Sequence, residues 1–318
     1  MADTTKHLMA ALVLAGLPGV ALAQPGANEP AGPADQEGIL VEGQRAMPAP
    51  ARETARAVVR NTGLVRGDRP IARWRERLCI DVIGIEPAAR EMVAQRIADY
   101  AETLELEART DQSCQTNVSV AFTFGAAALV EKVRIRKPKQ FREVPAYHAD
   151  VVFGEAAPVR AWYRTEWRDR NGRAAGGIQP ASVTVGGVSW SGEMPNKDDA
   201  PITTGISKSR VQTDATRSIE AAMIIVDRDL AAGYRVDEIA DLITLLALAE
   251  LYPREIDPES NSILSLFETP NSELRGGMSR CDRVLLDELY ALPAARTSRV
   301  QRGALVKALA DVPDCSAG

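Results

Sequence analysis

Histidine is nearly absent, with two in 318 residues. His7 lies in a segment read below as a removable leader, which leaves His148 as the imidazole of the remaining chain. A Ser-His-Asp or Cys-His arrangement would have to use it, and a zinc ion would find one imidazole ligand. His148 sits in VPAYHAD, which reads as an exposed loop. Cysteine is scarce too: four residues, none in a C-x-x-C pair, which disfavours a structural zinc site. Phosphate-cradling loops are missing. Gly186-Gly187 and Gly276-Gly277 belong neither to G-x-G-x-x-G after a strand nor to a P-loop. The run Gly187-Val188-Ser189-Trp190-Ser191 lacks the final glycine of a nucleophile elbow, so Ser189 reads as a strand residue. After residue 22 no segment approaches ~20 uninterrupted apolar residues, so no membrane span is expected. A net charge of -5 argues against a general nucleic-acid binder. With no complete catalytic constellation, the sequence points away from an enzyme and implies no cofactor.

What is present begins with an export signal. Lys6 and His7 precede the apolar run from Leu8 to Leu22, which closes on Ala21-Leu22-Ala23. A charged start, an apolar stretch too short to span a bilayer and an A-x-A site are the parts of a secretory signal peptide. The reading is a signal peptide over residues 1–23, cleaved after Ala23, and a secreted, periplasmic protein. Residues 24–69 are rich in Pro, Ala and Gly and read as a flexible leader. Regular patterning from about Pro70 then predicts a single globular domain over residues 70–318. In an oxidising compartment an even cysteine count favours disulfides. Three connectivities are possible. The sequence-local one, Cys79 with Cys114 and Cys281 with Cys315, is expected, each closing a loop worth roughly 4 kcal/mol in the chain-entropy model.

The periodicities predict a mixed α/β (α+β) fold. Trp74 to Ile85 and Asn117 to Phe124 read as strands. A helix opened by Pro87 lies between them, and another from Ala126 follows, carrying Val130 and Val133 inward with Lys132, Arg136 and Lys139 outward. This order favours adjacent parallel strands. Val159 to Trp167 and Ala181 to Trp190 alternate, and Asn171-Gly172 between them suggests a hairpin. Alternation would put Trp162, Arg164, Glu166 and Arg168 on a charged outer face, over an inner face of Tyr163, Thr165 and Trp167. Ile202 to Val211 reads as a short edge strand. Ile219 to Asp227 is a further strand, leading into the most apolar long segment, Val236 to Tyr252, a central buried helix. An apolar plug, Ser262 to Phe267, follows it. Ser279 and Asp282 then start a helix with a capping-box pattern.

Three segments carry candidate chemistry. Asp237-Glu238-Ile239-Ala240-Asp241 has the spacing of the zincin H-E-x-x-H motif with both histidines replaced by aspartate. As a metal pair Asp237 and Asp241 would favour a hard cation, which needs more oxygen ligands than the helix offers. A carboxylate-based hydrolase would use Glu238 and Asp241. The simpler account places Asp237 and Glu238 in the first helical turn, where carboxylates complement the helix dipole, and leaves Asp241 needing an internal partner. From Glu131 to Arg173 there are eleven Lys/Arg against six Asp/Glu, whereas from Ile219 to Ala291 there are six against fifteen. The basic middle raises an anion-binding reading, with an anionic envelope component as partner.

LCIDVIGI with Cys114, APVRAWYRTEWRDRNGR, IADLITLLALAEL, SILSLF and CDRVLLDELYAL together resemble a family of secreted Gram-negative bacterial proteins of unknown function. Their layout is also similar to degenerate zincin-like, metallopeptidase-like domains that lack the metal-binding histidines. In that family the central helix tends to carry an Ala-Asp pair, here Ala240-Asp241. The resemblance implies location and a zincin-like architecture around the helix at about 236–252, and no activity. The island Ile39 to Arg45, ILVEGQR, resembles the start of mature envelope proteins and would suit strand addition to a partner protein. The resulting expectation is a non-catalytic binding or accessory module of the cell envelope.

Overall fold

The computed structural model describes residues 49–64, 67, 69–111, 113–168, 183–185, 188–190, 213, 215–258, 260, 262–268 and 277–316. The expected signal peptide, the ILVEGQR island, Asn171-Gly172 and the edge strand at 202–211 lie outside them. The elements in chain order are α1 (Ala49–Asn61), β1 (Leu78–Ile83), α2 (Pro87–Thr103), β2 (Ala108–Arg109), β3 (Val118–Thr123) and α3 (Ala126–Arg136). They continue with α4 (Ala149–Phe153), β4 (Val159–Arg168), β5 (Val183–Val185), β6 (Val188–Trp190), β7 (Thr216–Asp227) and α5 (Val236–Leu248). The last are α6 (Arg280–Ala291), α7 (Ser298–Ala310) and α8 (Pro313–Ser316).

Five strands form one mixed sheet in the order β2-β1-β3-β7-β4. The first four run parallel, and β4 is antiparallel to β7. The register sets Val82, Val120, Ile224 and Ala161 in one row, facing α2 and α5. On the opposite face Trp162 packs with Phe141, which in turn meets Phe153 of α4. The sheet is therefore covered on both sides at β4, where Arg160, Trp162 and Tyr163 are all buried. The expected charged outer face is confined to the far half of the strand, from Arg164 on. A second correction concerns the hairpin. β4 takes β7 as its partner, while β5 and β6 pair with each other, Val183 opposite Trp190 and Val185 opposite Val188. Gly84 ends β1 with positive φ, so close to β3 that any Cβ would strike the Phe122 carbonyl, and glycine is required there.

α1 lies within the stretch expected as leader and packs on the terminal helices α7 and α8, with Ala55 and Val59 buried. Its end is tied down as well, the Thr62 carbonyl accepting from the Tyr252 N–H (3.0 Å) and that of Asn61 from the Arg254 N–H (2.8 Å). The inward face of this helix is built from alanine and valine, which read as leader composition.

α5 is the buried centre. From Glu238 to Leu248 every residue is buried, the pattern of a helix enclosed on all sides. It ends at Leu248, four residues before the expected stop at Tyr252, because Ala249 leaves helical geometry (φ -139°, ψ 144°). A helix end leaves carbonyls without intrahelical partners, and here the last residues of the helix are buried. Three aromatic donors from separate parts of the chain supply the bonds. Tyr163 Oη–H reaches the Leu246 carbonyl (2.8 Å), Trp74 Nε1–H that of Ala247 (2.8 Å) and Tyr290 Oη–H that of Leu248 (2.7 Å).

The capping box of α6 forms as the spacing predicts. Ser279 Oγ accepts from the Asp282 N–H (3.1 Å) and Asp282 Oδ2 from the Ser279 N–H (2.9 Å). Asp282 also accepts from Ser262 Oγ–H (2.5 Å) and the Ile263 N–H (2.9 Å), so one buried carboxyl group anchors the apolar plug to the helix start. Burial pushes its pKa up, against the hydrogen bonds that pull it down. A carboxyl group whose folded pKa exceeds its unfolded value favours the folded state when protonated. Its contribution is full below the unfolded pKa, about 4, and is lost as pH rises towards the folded value. The stability difference between the protein and Asp282→Asn, measured by urea unfolding across this range, is expected to shrink as pH rises. A difference that grows with pH would contradict the upward shift.

Both sequence-local disulfides are present. Cys79–Cys114 ties β1 to the loop after β2, and Cys281–Cys315 ties α6 to α8. Among the described residues no helix is long and apolar enough to cross a membrane.

Candidate functional site

The three acids Asp237, Glu238 and Asp241 of α5 have different surroundings. Asp237 stays near the surface and pairs with Arg235, Nε to Oδ1 at 2.9 Å and Nη2 to Oδ2 at 2.5 Å. That hydrogen-bonded partner holds the Asp237 carboxyl below its usual range. Glu238 and Asp241 are buried. Arg96, reaching over from α2, donates Nη1–H to Asp241 Oδ1, and the Met278 N–H approaches Oδ2 at 3.3 Å. Gly277 lies against the same carboxylate, at positive φ, where any Cβ would collide with Oδ2. The i, i+4 pair with zincin spacing thus has separate partners, Arg235 outside and Arg96 inside. Among the described residues no group of three His, Cys, Asp or Glu side chains is placed to hold a metal ion.

His148 is a correction. The expected exposed loop is a 3-10 turn, Ala146–His148, that follows Pro145 and turns the ring inward. The imidazole is 5 % exposed, with its centroid 4.5 Å from Tyr147 and 6.2 Å from Tyr252, onto which it stacks.

The strongest polar feature went unread in the sequence. Arg217 at the start of β7 and Glu250 just past α5 are buried, and they bond as a fork, Nη1 to Oε2 at 3.0 Å and Nη2 to Oε1 at 3.2 Å. Thr165 Oγ1 (2.9 Å) and Glu143 Oε2 (3.1 Å) share the two Nη2 hydrogens with Glu250, and Arg69 reaches the same Glu143 oxygen at 3.2 Å. The signal was Glu250 itself, the one charge in the apolar run from Leu242 to Tyr252. A charge left in such a run demands a buried counter-ion.

Open binding space lies elsewhere, at the carboxyl ends of β1, β3 and β7. A recess of about 330 Å³ opens there between the first turns of α2 and α5. Ile85, Ala89, Phe122, Val226, Tyr234 and Ile239 form apolar walls, and Glu86 and Arg228 supply charge. Arg228 lies over the Phe124 ring, 4.5 Å from its centroid. Outside the recess, three large apolar side chains are exposed on the same edge: Ile83, Phe124 and Leu230. Asp227 shapes this edge, its Oδ2 accepting from the Ala126 N–H (2.8 Å) at the start of α3 and its Oδ1 from the Asp229 N–H (3.1 Å). A second depression, about 620 Å³, runs beside the Cys79–Cys114 disulfide and is lined mainly by polar groups, among them Asp81, Arg90, Glu91 and Asp111.

Neither family models, nor curated proteins, nor solved structures provide a match to the chain. Function therefore rests on the geometry above. None of the acids proposed for catalysis lines the apolar recess. Spacing along α5 directed attention to the helix interior, whereas the recess is built by strand ends that only the sheet topology brings together.

Proposed function

We propose that the protein is a non-catalytic binding module of the bacterial cell envelope and that it binds at the carboxyl edge of its sheet. The recess carries this reading. Open α/β sheets take ligands in the crevice beyond the carboxyl ends of their strands, and pockets with apolar walls and few polar groups are the usual binding sites. A cluster of exposed apolar side chains around such a mouth marks an interaction surface. Of the acids of the hydrolase alternative, Asp241 is committed to Arg96 and Glu238 is buried, and neither lines the recess. For a periplasmic location the support is the A-x-A-terminated apolar run and the two disulfides, which persist in oxidising compartments.

Anilinonaphthalene sulfonate, an aromatic body with one anionic group to meet Arg228, is a suitable probe. Saturable one-to-one binding to the native protein is expected. Ala232, on the exposed rim, can be enlarged without entering the core, and Ala232→Trp is expected to weaken binding by about tenfold or more as it closes the mouth. Binding unchanged in that variant would remove the recess from the proposal. Turnover of casein or peptidoglycan by the purified protein, lost in Asp241→Ala, would overturn the non-catalytic assignment.

A further inference from the structure

The outer face of α3 and the turn after it combine free cations with an exposed apolar residue. Lys132, Arg136, Lys137 and Lys139 are all exposed, and among the described residues none has a carboxylate partner. Several arginines elsewhere are answered, Arg96 by Asp241, Arg217 by Glu250 and Arg235 by Asp237. Even within α3, Arg134 is turned back, pairing with Glu131 at 2.8 Å and lying 4.9 Å from the centre of the Phe153 ring. Four unanswered positive charges within eight residues stand out in a protein whose net charge is -5.

Ile135 stands among them. It is 72 % exposed, more than any other large apolar side chain among the described residues. Lys132, Ile135 and Arg136 are spaced i, i+3 and i+4, so they share one face of the helix. The opposite side is fixed. Val130 is buried, Asp227 holds the first N–H of α3, and Phe141 of the following turn is wedged between Phe153 and Trp162 at 5.2 and 4.8 Å. The cations therefore project from a rigid support rather than a tail.

We propose that this face docks on an anionic phospholipid leaflet. The cations meet headgroup phosphates, and Ile135 enters the boundary between headgroups and acyl chains. Charge complementarity argues for an anionic surface, and the isoleucine decides which kind. A soluble polyanion offers an aliphatic side chain nothing in exchange for its exposure, whereas a leaflet takes it out of water. Lysine stems add apolar length beneath their charges. Each cation near an anionic leaflet strengthens binding roughly fivefold, which makes the attachment peripheral and reversible. This proposal is independent of the recess at the sheet edge, since it uses a different face and different residues.

The test is co-sedimentation of the protein, purified from an expressing Gram-negative host, with vesicles of phosphatidylcholine alone and of an equal mixture of phosphatidylcholine and phosphatidylglycerol. Binding to the mixed vesicles alone is expected, weakening as salt is added. Reversing three charges in Lys132→Glu/Arg136→Glu/Lys139→Glu is expected to lower it by at least about a hundredfold. Ile135→Ser, which keeps every charge, is expected to lower it several-fold, to about tenfold. Ala232→Trp should leave vesicle binding intact, separating this face from the recess. All five positions are exposed, so an unchanged thermal midpoint verifies folding. Equal binding to both vesicle types, or binding that survives the triple reversal, overturns the proposal. So does full competition by heparin together with an unaffected Ile135→Ser, which would make the face a site for soluble polyanions.

Discussion

Arg217→Met is expected to destabilise the protein by about 3–5 kcal/mol, the range seen when one partner of a buried ion pair is removed. The substitution leaves Glu250, which is 0 % exposed, without the two guanidinium hydrogens that answer its oxygens. Glu143 keeps Arg69, so the loss concentrates on Glu250. A single domain has roughly 5–15 kcal/mol in total, so much of the margin disappears. The double variant Arg217→Met/Glu250→Leu removes both charges and is expected to recover most of the loss, because well-packed apolar replacements of buried pairs are often neutral or better. Urea unfolding midpoints of the two variants decide the matter. A single variant within about 1 kcal/mol of the parent would mean that water or another cation answers Glu250.

Removing either disulfide comes next in size. The bridges close loops with sequence separations of 35 and 34 residues, so the chain-entropy model gives each roughly 4 kcal/mol. Nearly equal losses are therefore expected for Cys79→Ser/Cys114→Ser and Cys281→Ser/Cys315→Ser in urea unfolding. Their structural consequences differ. Cys79 is embedded in β1, which keeps its ladder to β3 without the bridge. Cys315 belongs to the four-residue helix α8, far too short to persist alone, and the bridge is its covalent hold on α6. Protease sensitivity near the C-terminus should therefore rise in the second pair of variants. A loss below about 1 kcal/mol in either pair would show that its loop is already ordered in the unfolded chain.

What was legible in the sequence was local. β1, α2, β3, α3, β7, α5 and the capping box of α6 declare themselves through periodicity and terminal residues, and the folded chain keeps them. What depended on remote contacts was hidden. The alternation of β4 predicts one wet face, but Phe141, backed by Phe153, arrives to cover Trp162, and no local pattern announces it. α1 was obscured by composition, since alanines bury well but read as leader. His148 turns inward on the stacking offered by Tyr252, over a hundred residues away in sequence. The candidate site was legible only in part. Acidic spacing along α5 was visible, while Arg96 and Gly277, which enclose Asp241, are supplied by other elements. The recess could not be read at all, because its walls converge only once the parallel strands are aligned.

The three aromatic bonds at the end of α5 have a consequence for how the chain folds. Their donors stand at positions 74, 163 and 290, so the helix terminus is complete only when the beginning, middle and end of the domain have all arrived. Any intermediate missing one of them carries a dehydrated carbonyl with no answer, at a cost of about 1–3 kcal/mol. The terminus thereby works as a three-key lock. It penalises half-assembled chains and couples distant stretches into a single cooperative unit, so a protein truncated ahead of Tyr290 is marked as unfinished at its own centre.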